Sequence, residues 1–135
     1  MIDLFIKPGD EIKINFVVAT DKGGKIYIDL SKKDMIEMLE DNLSAIEEHF
    51  VIFKKPNFKN TVEISQSITT NGTDIKFNLL VDRYHKMLKL LKSWTLKDDK
   101  GEILEPNKNN IDNLNPIIAD FLSNRLDSET TSILV

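Results

Sequence analysis

The chain has two histidines, His49 and His85, and they fall in separate predicted elements. A Ser-His-Asp triad assembles only in the folded molecule. Neither histidine, nor any serine, lies in a recognisable nucleophile motif. His85 stands between Tyr84 and Lys86 on a helical pattern and reads as a surface histidine. Glu47-Glu48-His49 has the residue types of a metal site. On a helix, however, three adjacent side chains diverge, and no second histidine follows at a ligand spacing, so the group reads as a solvated face. Asp98-Asp99 is a carboxylate pair of the kind any charged surface carries. Gly23-Gly24-Lys25 lacks the earlier glycine of a phosphate-binding loop, and Ile26 stands where Ser or Thr would bind magnesium. With no cysteine, disulfides, thiolate zinc and cysteine nucleophiles are excluded. No cofactor and no catalytic residue is expected.

These residues must be positioned by one modest core. A chain of 135 residues, 41% hydrophobic, suits a single α+β domain over 1–127 with a tail at 128–135. Twenty-two acidic against 18 basic residues give a net charge of -4, which argues against nucleic acid as a partner. The opening Met1–Lys7 carries an acid within a short apolar run closed by Pro8-Gly9, unlike a signal peptide or a membrane span. The expected place of action is the cytosol, where the sequons at Asn42 and Asn71 have no bearing.

Residues 2–30 are rich in β-branched and aromatic residues at a two-residue rhythm, with Ile12, Ile14 and Phe16 and then Ile26 and Ile28 alternating with polar neighbours. This predicts a meander of three short strands, turning at Lys7–Asp10 and at Asp21–Gly24. Ser31 and Asp34 form a helix start, and Met35, Leu39, Leu43, Ile46 and Phe50 recur at helical spacing, predicting a helix over 32–48. Glu37, Glu40, Asp41, Glu47 and Glu48 would give it an acidic outer face. Phe50–Phe53 reads as a short strand ended by Lys54-Lys55-Pro56. Residues 57–70 fit either a helix opened by Asn57 or a strand running into an Asn71-Gly72 turn.

From Phe77, the apolar residues Leu80, Tyr84, Met87, Leu88, Leu91 and Trp94 predict a helix over 78–93 with a basic side that includes Arg83, Lys86, Lys89 and Lys92. Basic residues late in a helix also suit the negative end of its dipole. Lys97–Asn110 is polar and reads as a loop with a tight turn at Asp99-Lys100-Gly101. Asn115 and Pro116 are the N-cap and first position of a last helix with the apolar stripe Ile117, Ile118, Phe121, Leu122 and Leu126. The chain ends on apolar Ile133-Leu134-Val135, a segment that would dock on a partner or cover its own domain.

The segments Glu48–Phe58, Met87–Asp98, Gly101-Glu102 and Asn110–Pro116 together resemble small tail-morphogenesis proteins of tailed bacteriophages, above all the tail assembly chaperones. That family commonly shows a strand ending in Lys/Arg-x-Pro, a helix ending in Ser-Trp-x-Leu, a polar Asp-x-x-Gly turn and a final helix announced by a Leu-Pro-like start. Here Leu114-Asn115-Pro116 stands at the last position, and the match spans residues 48–127. The resemblance implies a helix over 57–70 and a non-enzymatic assembly protein that binds tape measure and tail tube proteins in the host cytoplasm. Trp94 and Phe121 would be aromatic anchors, and the acidic face with Glu37, Glu40 and Glu47 would steer a basic partner. A virion subunit of the tail, neck or baseplate, its β-rich part completing a neighbour's sheet, is the second expectation, and a homo-oligomer would suit it. A small enzyme or nucleic-acid accessory factor working through Lys86 and Lys89 is the third.

Overall fold

The computed structural model describes residues 1–70 and 75–130, the side chains of 67–70 and 75–79 excepted. Its centre is a four-stranded antiparallel sheet built around two long strands, β1 (Glu11–Asp21) and β3 (Leu43–Lys54). Between them lie β2 (Ile26–Asp29), α1 (Lys32–Leu39) and a 3-10 turn (Glu40–Asn42). After β3 come α2 (Phe58–Thr70), α3 (Ile75–Leu90), β4 (Leu91–Trp94), α4 (Lys108–Asp112) and α5 (Pro116–Glu129). The strand order is β2-β1-β3-β4. The α+β class expected from the sequence is the one the structure has.

The two-residue period of β1 sorts its side chains cleanly. Ile12, Ile14 and Phe16 face the main core with Val51 and Phe53 of β3, while Glu11, Lys13 and Asn15 face outward and are exposed. Helices α3 and α5 supply Met87, Leu90, Ile118, Leu122 and Leu126 to that core, and α2 supplies Ile64. On the opposite face a smaller cluster forms where Met35 and Leu39 of α1 cover Ala19.

Several predicted local features are present. The Asp21–Gly24 turn joins β1 to β2, with Gly24 at φ 84 and Asp21 accepting from the backbone of Gly23 and Lys25. Ser31 caps α1 by accepting from Asp34 N, 3.2 Å away. Asn57 and Asn60 cap α2 reciprocally, each side chain accepting from the other's backbone N–H. This closed pair settles the ambiguity over 58–70 in favour of a helix. The expected Asn71-Gly72 turn and the apolar end Ile133-Leu134-Val135 lie outside the described residues. Asn115 accepts from Ile117 N, and Pro116 opens α5 as predicted.

Four expectations are corrected. Residues 2–6 form no strand, so the predicted N-terminal meander is a single hairpin whose first strand goes on to pair with β3. The helix predicted over 32–48 stops at Leu39, and Leu43–Glu48 belong to β3, within the stretch expected to be mainly helical. Ile46 and Glu48 of β3 face Ala19 and Val17 of β1, and these cross-strand contacts override a helical spacing that the apolar residues satisfy by coincidence. The acidic helical face therefore does not exist as one surface. The helix predicted over 78–93 ends at Leu90, because Leu91–Trp94 pair with β3 as its outer neighbour. Within Lys97–Asn110 the tight turn is present, with Gly101 at φ 82 and its N–H donating to Asp98 O. Lys97 bridges to Ile103, and the stretch runs into α4 rather than remaining loop throughout.

Candidate partner-binding surface

Glu47, His49 and Thr95 form a hydrogen-bonded chain with the residue types of a hydrolase relay. Because β3 is a strand, Glu47 and His49 share a face, contrary to the divergent helical arrangement expected of them. His49 Nε2 lies 2.8 Å from Glu47 Oε2, and Nδ1 lies 3.0 Å from Thr95 Oγ1. The imidazole is 9% exposed and leans on the Phe16 ring, centroids 5.7 Å apart. The threonine hydroxyl, however, is already committed. It accepts from Phe50 N at 2.9 Å and lies 3.3 Å from Phe50 O, while Thr95 N donates to that same carbonyl. A nucleophile needs an open approach and a proton free to leave. Thr95 instead extends the β3–β4 ladder by one side chain, and His49 braces it. A cavity of about 310 Å³ lies beside this clamp, walled by Trp94, Ile118 and Asn113 as well as Glu47 and His49.

A second polar cluster joins α3 to α5. Lys86, 2% exposed, donates to Asp127 Oδ1 at 3.1 Å and to Thr130 Oγ1 at 3.0 Å, and Arg83 Nε reaches Asp127 Oδ2 at 3.0 Å. One helical turn before Lys86, Asp82 is fully buried, and neither carboxylate oxygen has a hydrogen-bond partner. Burial pushes its carboxyl above the ordinary carboxylate range, against the opposing pull of the Lys86 charge. The sequence pattern places Arg83 and Lys86 on a solvent-facing basic side. The i, i+4 spacing of Asp82 and Lys86 was the available signal that they share a face.

The residues expected to touch partners are scattered. Trp94 is 4% exposed, its ring in the main core and its indole N–H donating to Leu104 O. Phe121 is half-buried against Phe16, ring centroids 6.3 Å apart. Lys86 is buried in the cluster above, and Lys89 pairs with Glu63 across the α2–α3 contact. Glu37 and Glu40 are exposed on α1 and the 3-10 turn, and Glu47 is exposed on β3. No single surface gathers them.

Exposed apolar side chains do occur on the two segments that lead into one cavity. Ile2, Leu4 and Phe5 are 83%, 82% and 79% exposed, and Phe58, which opens α2, is 85% exposed. Their chain neighbours Ile6 and Asn57 line a cavity of about 440 Å³ together with Lys54, Lys55, Leu91 and Lys92. Exposed aromatic and aliphatic side chains on the segments that flank a concave site are of the kind found at protein-docking surfaces, and of the lysines lining the cavity Lys92 is paired with Glu11 and Lys89 with Glu63. Sequence reading missed it because residues 2–6 carry a strand pattern and were given a place in the sheet. Among the described residues, no group of three or more acidic or histidine side chains is arranged to hold a metal, and no helix is long and apolar enough to cross a membrane. No protein-family profile matches the chain, and no curated protein or solved structure is significantly similar to it.

Proposed function

We propose that this chain is a non-enzymatic assembly protein of a tailed bacteriophage, binding tape measure and tail tube proteins in the manner of the tail assembly chaperones it resembles. The observation that carries the reading is the exposure of Ile2, Leu4, Phe5 and Phe58 on the segments that lead into the cavity. A protein whose work is transient association needs accessible apolar anchors and no fixed reacting centre. Lys54 and Lys55 at that cavity favour partner segments that carry acids next to apolar residues, whereas Lys92 is already paired with Glu11. This reverses the charge sense expected from a continuous acidic helix. Quantitative mass spectrometry of purified particles beside infected-cell lysate tests the role. Abundance in lysate with absence from particles is the expected result, and stoichiometric presence in particles overturns it.

That second outcome would make the chain a tail, neck or baseplate subunit. One observation favours this alternative: β2 pairs with Val17–Thr20, so among the described residues Glu11–Phe16 present an open sheet edge that a permanent neighbour would complete.

A further inference from the structure

We propose that the segment Ile2–Ile6 of one copy pairs antiparallel with the open β1 edge, Glu11–Phe16, of a second copy, so that two chains exchange their N-terminal strands. The inference does not depend on the assembly role proposed above. Three observations lead to it. The segment alternates Ile2, Leu4 and Ile6 with Asp3, Phe5 and Lys7, which is strand patterning, yet it pairs with no strand among the described residues. Its large side chains are about as exposed as in a free chain, because Ile2, Leu4 and Phe5 all exceed three-quarters exposure. The edge it would fit begins only a turn away, and among the described residues no strand occupies that side of Glu11–Phe16.

The register explains why the segment does not close on its own chain. Lys7–Asp10 is a four-residue turn in which Asp10 N donates to Lys7 O at 3.1 Å and Gly9 has φ 92. With Pro8 second and a positive φ at the third position, the turn is type II, whose twist splays the strands of a two-residue hairpin. Continuing that hairpin would set Ile6 opposite Glu11, Leu4 opposite Lys13 and Asp3 opposite Ile14. Residues directly opposite in an antiparallel pair share a face, so Asp3 would enter the core with Phe5 while three aliphatic residues, Ile2, Leu4 and Ile6, would leave it.

A partner from another chain is free to shift by one residue. Ile6 then faces Ile12, Leu4 faces Ile14 and Ile2 faces Phe16, all on the core side. On the outer side Lys7, paired with Asp3 in the single chain, meets Glu11, which Lys92 already holds, and Phe5 meets Lys13, whose ammonium already lies 4.5 Å from the Phe50 ring centroid. Apolar matching on one face and charge matching on the other thus occur together in the shifted register alone of these two. Reciprocal exchange gives a closed two-fold assembly with Pro8-Gly9 as its hinge.

The test uses the whole chain, which has no native cysteine. Phe5→Cys and Lys13→Cys are introduced together at two outward-facing positions, and light and heavy-isotope-labelled chains are mixed, equilibrated and oxidised. The expected result is a disulfide between positions 5 and 13 with about half of the linked peptide of mixed isotope. Linked peptides that are wholly light or wholly heavy would return the strand to its own chain and overturn the proposal. Absence of that disulfide in the folded, oxidised protein overturns it as well. Independently, Leu4→Asp, at a side chain exposed in the single chain, is expected to convert a dimer on light scattering to a monomer with an unchanged circular dichroism spectrum. A mass that is the same with and without this substitution counts against the exchange.

Discussion

Lys86 Nζ lies 3.1 Å from Asp127 Oδ1 across the α3–α5 interface, with the lysine side chain 3% exposed and the aspartate 18% exposed. The ammonium also sits one helical turn from the buried Asp82 carboxylate, so Lys86 and Arg83 together compensate two acids. Removing the ammonium leaves the buried Asp82 without its strongest opposing charge, while Asp127 keeps Arg83. Lys86→Met keeps the volume and is expected to cost about 3 kcal/mol, the usual scale for breaking one side of a buried pair. Urea unfolding measures this. A loss below about 1 kcal/mol would mean the pair is solvated in solution and that α3 and α5 are held by packing alone.

Asp82 predicts a pH dependence of definite sign. Its carboxyl is held above the ordinary value of 3.8 by burial, so the folded state binds a proton that the unfolded state has released. The corresponding stability is fully present below that unfolded value and is lost as pH rises through the folded one. Asp21, Glu63 and Asp112 run the other way, since backbone and lysine hydrogen bonds lower their carboxyls. Their contributions are present above the unfolded values and are lost on acidification. Subtracting the Asp82→Asn profile from the wild-type profile isolates the first effect. The difference should move against the wild type as pH increases from about 4. A flat difference would show that Asp82 titrates alike in both states.

Glu40 is the only non-glycine residue with positive φ among those described, at φ 48 and ψ -123. This backbone region is one that a side chain strains and glycine accepts. The strain ends α1 and turns the chain into β3. Glu40→Gly removes an exposed carboxylate and relieves the backbone, for an expected net gain on the order of 1 kcal/mol after glycine's own entropy cost. Glu40→Ala should give no such gain. Thermal unfolding of the two variants side by side separates backbone relief from loss of charge.

How far the sequence could be read is clearest at two junctions. Caps and turns were legible because their chemistry is local: Ser31, Asn115-Pro116 and Asp21–Gly24 each act on backbone groups within four residues. The ends of α1 and α3 were not, because what stops them is a partner strand far away in the chain. Leu43 to Phe50 keep helical spacing, yet β1 offers a ladder along their whole length. Leu91 and Trp94 continue the apolar stripe of α3, yet Trp94 pairs with Val51. The docking surface was illegible for the opposite reason. The Ile2–Ile6 pattern has the alternation of a strand, but the segment forms none among the described residues.

Trp94 yields the last prediction. Its indole N–H donates to Leu104 O at 2.5 Å, and the ring is 4% exposed among Ile14, Val51 and Ile118, so it ties β4 to the loop that leads into α4. Trp94→Phe leaves an unfilled volume and a carbonyl without its donor, and should cost about 2 kcal/mol in chemical denaturation. Since this is the sole tryptophan, the wild-type protein reports on itself. Its emission should be blue-shifted and resist acrylamide quenching in the native state, then shift red on unfolding. Adding a binding partner should leave the quenching unchanged, because the ring is already shielded by its own core. Quenching as efficient as that of free tryptophan, or strong protection on partner addition, would put Trp94 at the interface instead and require β4 to open when the partner binds.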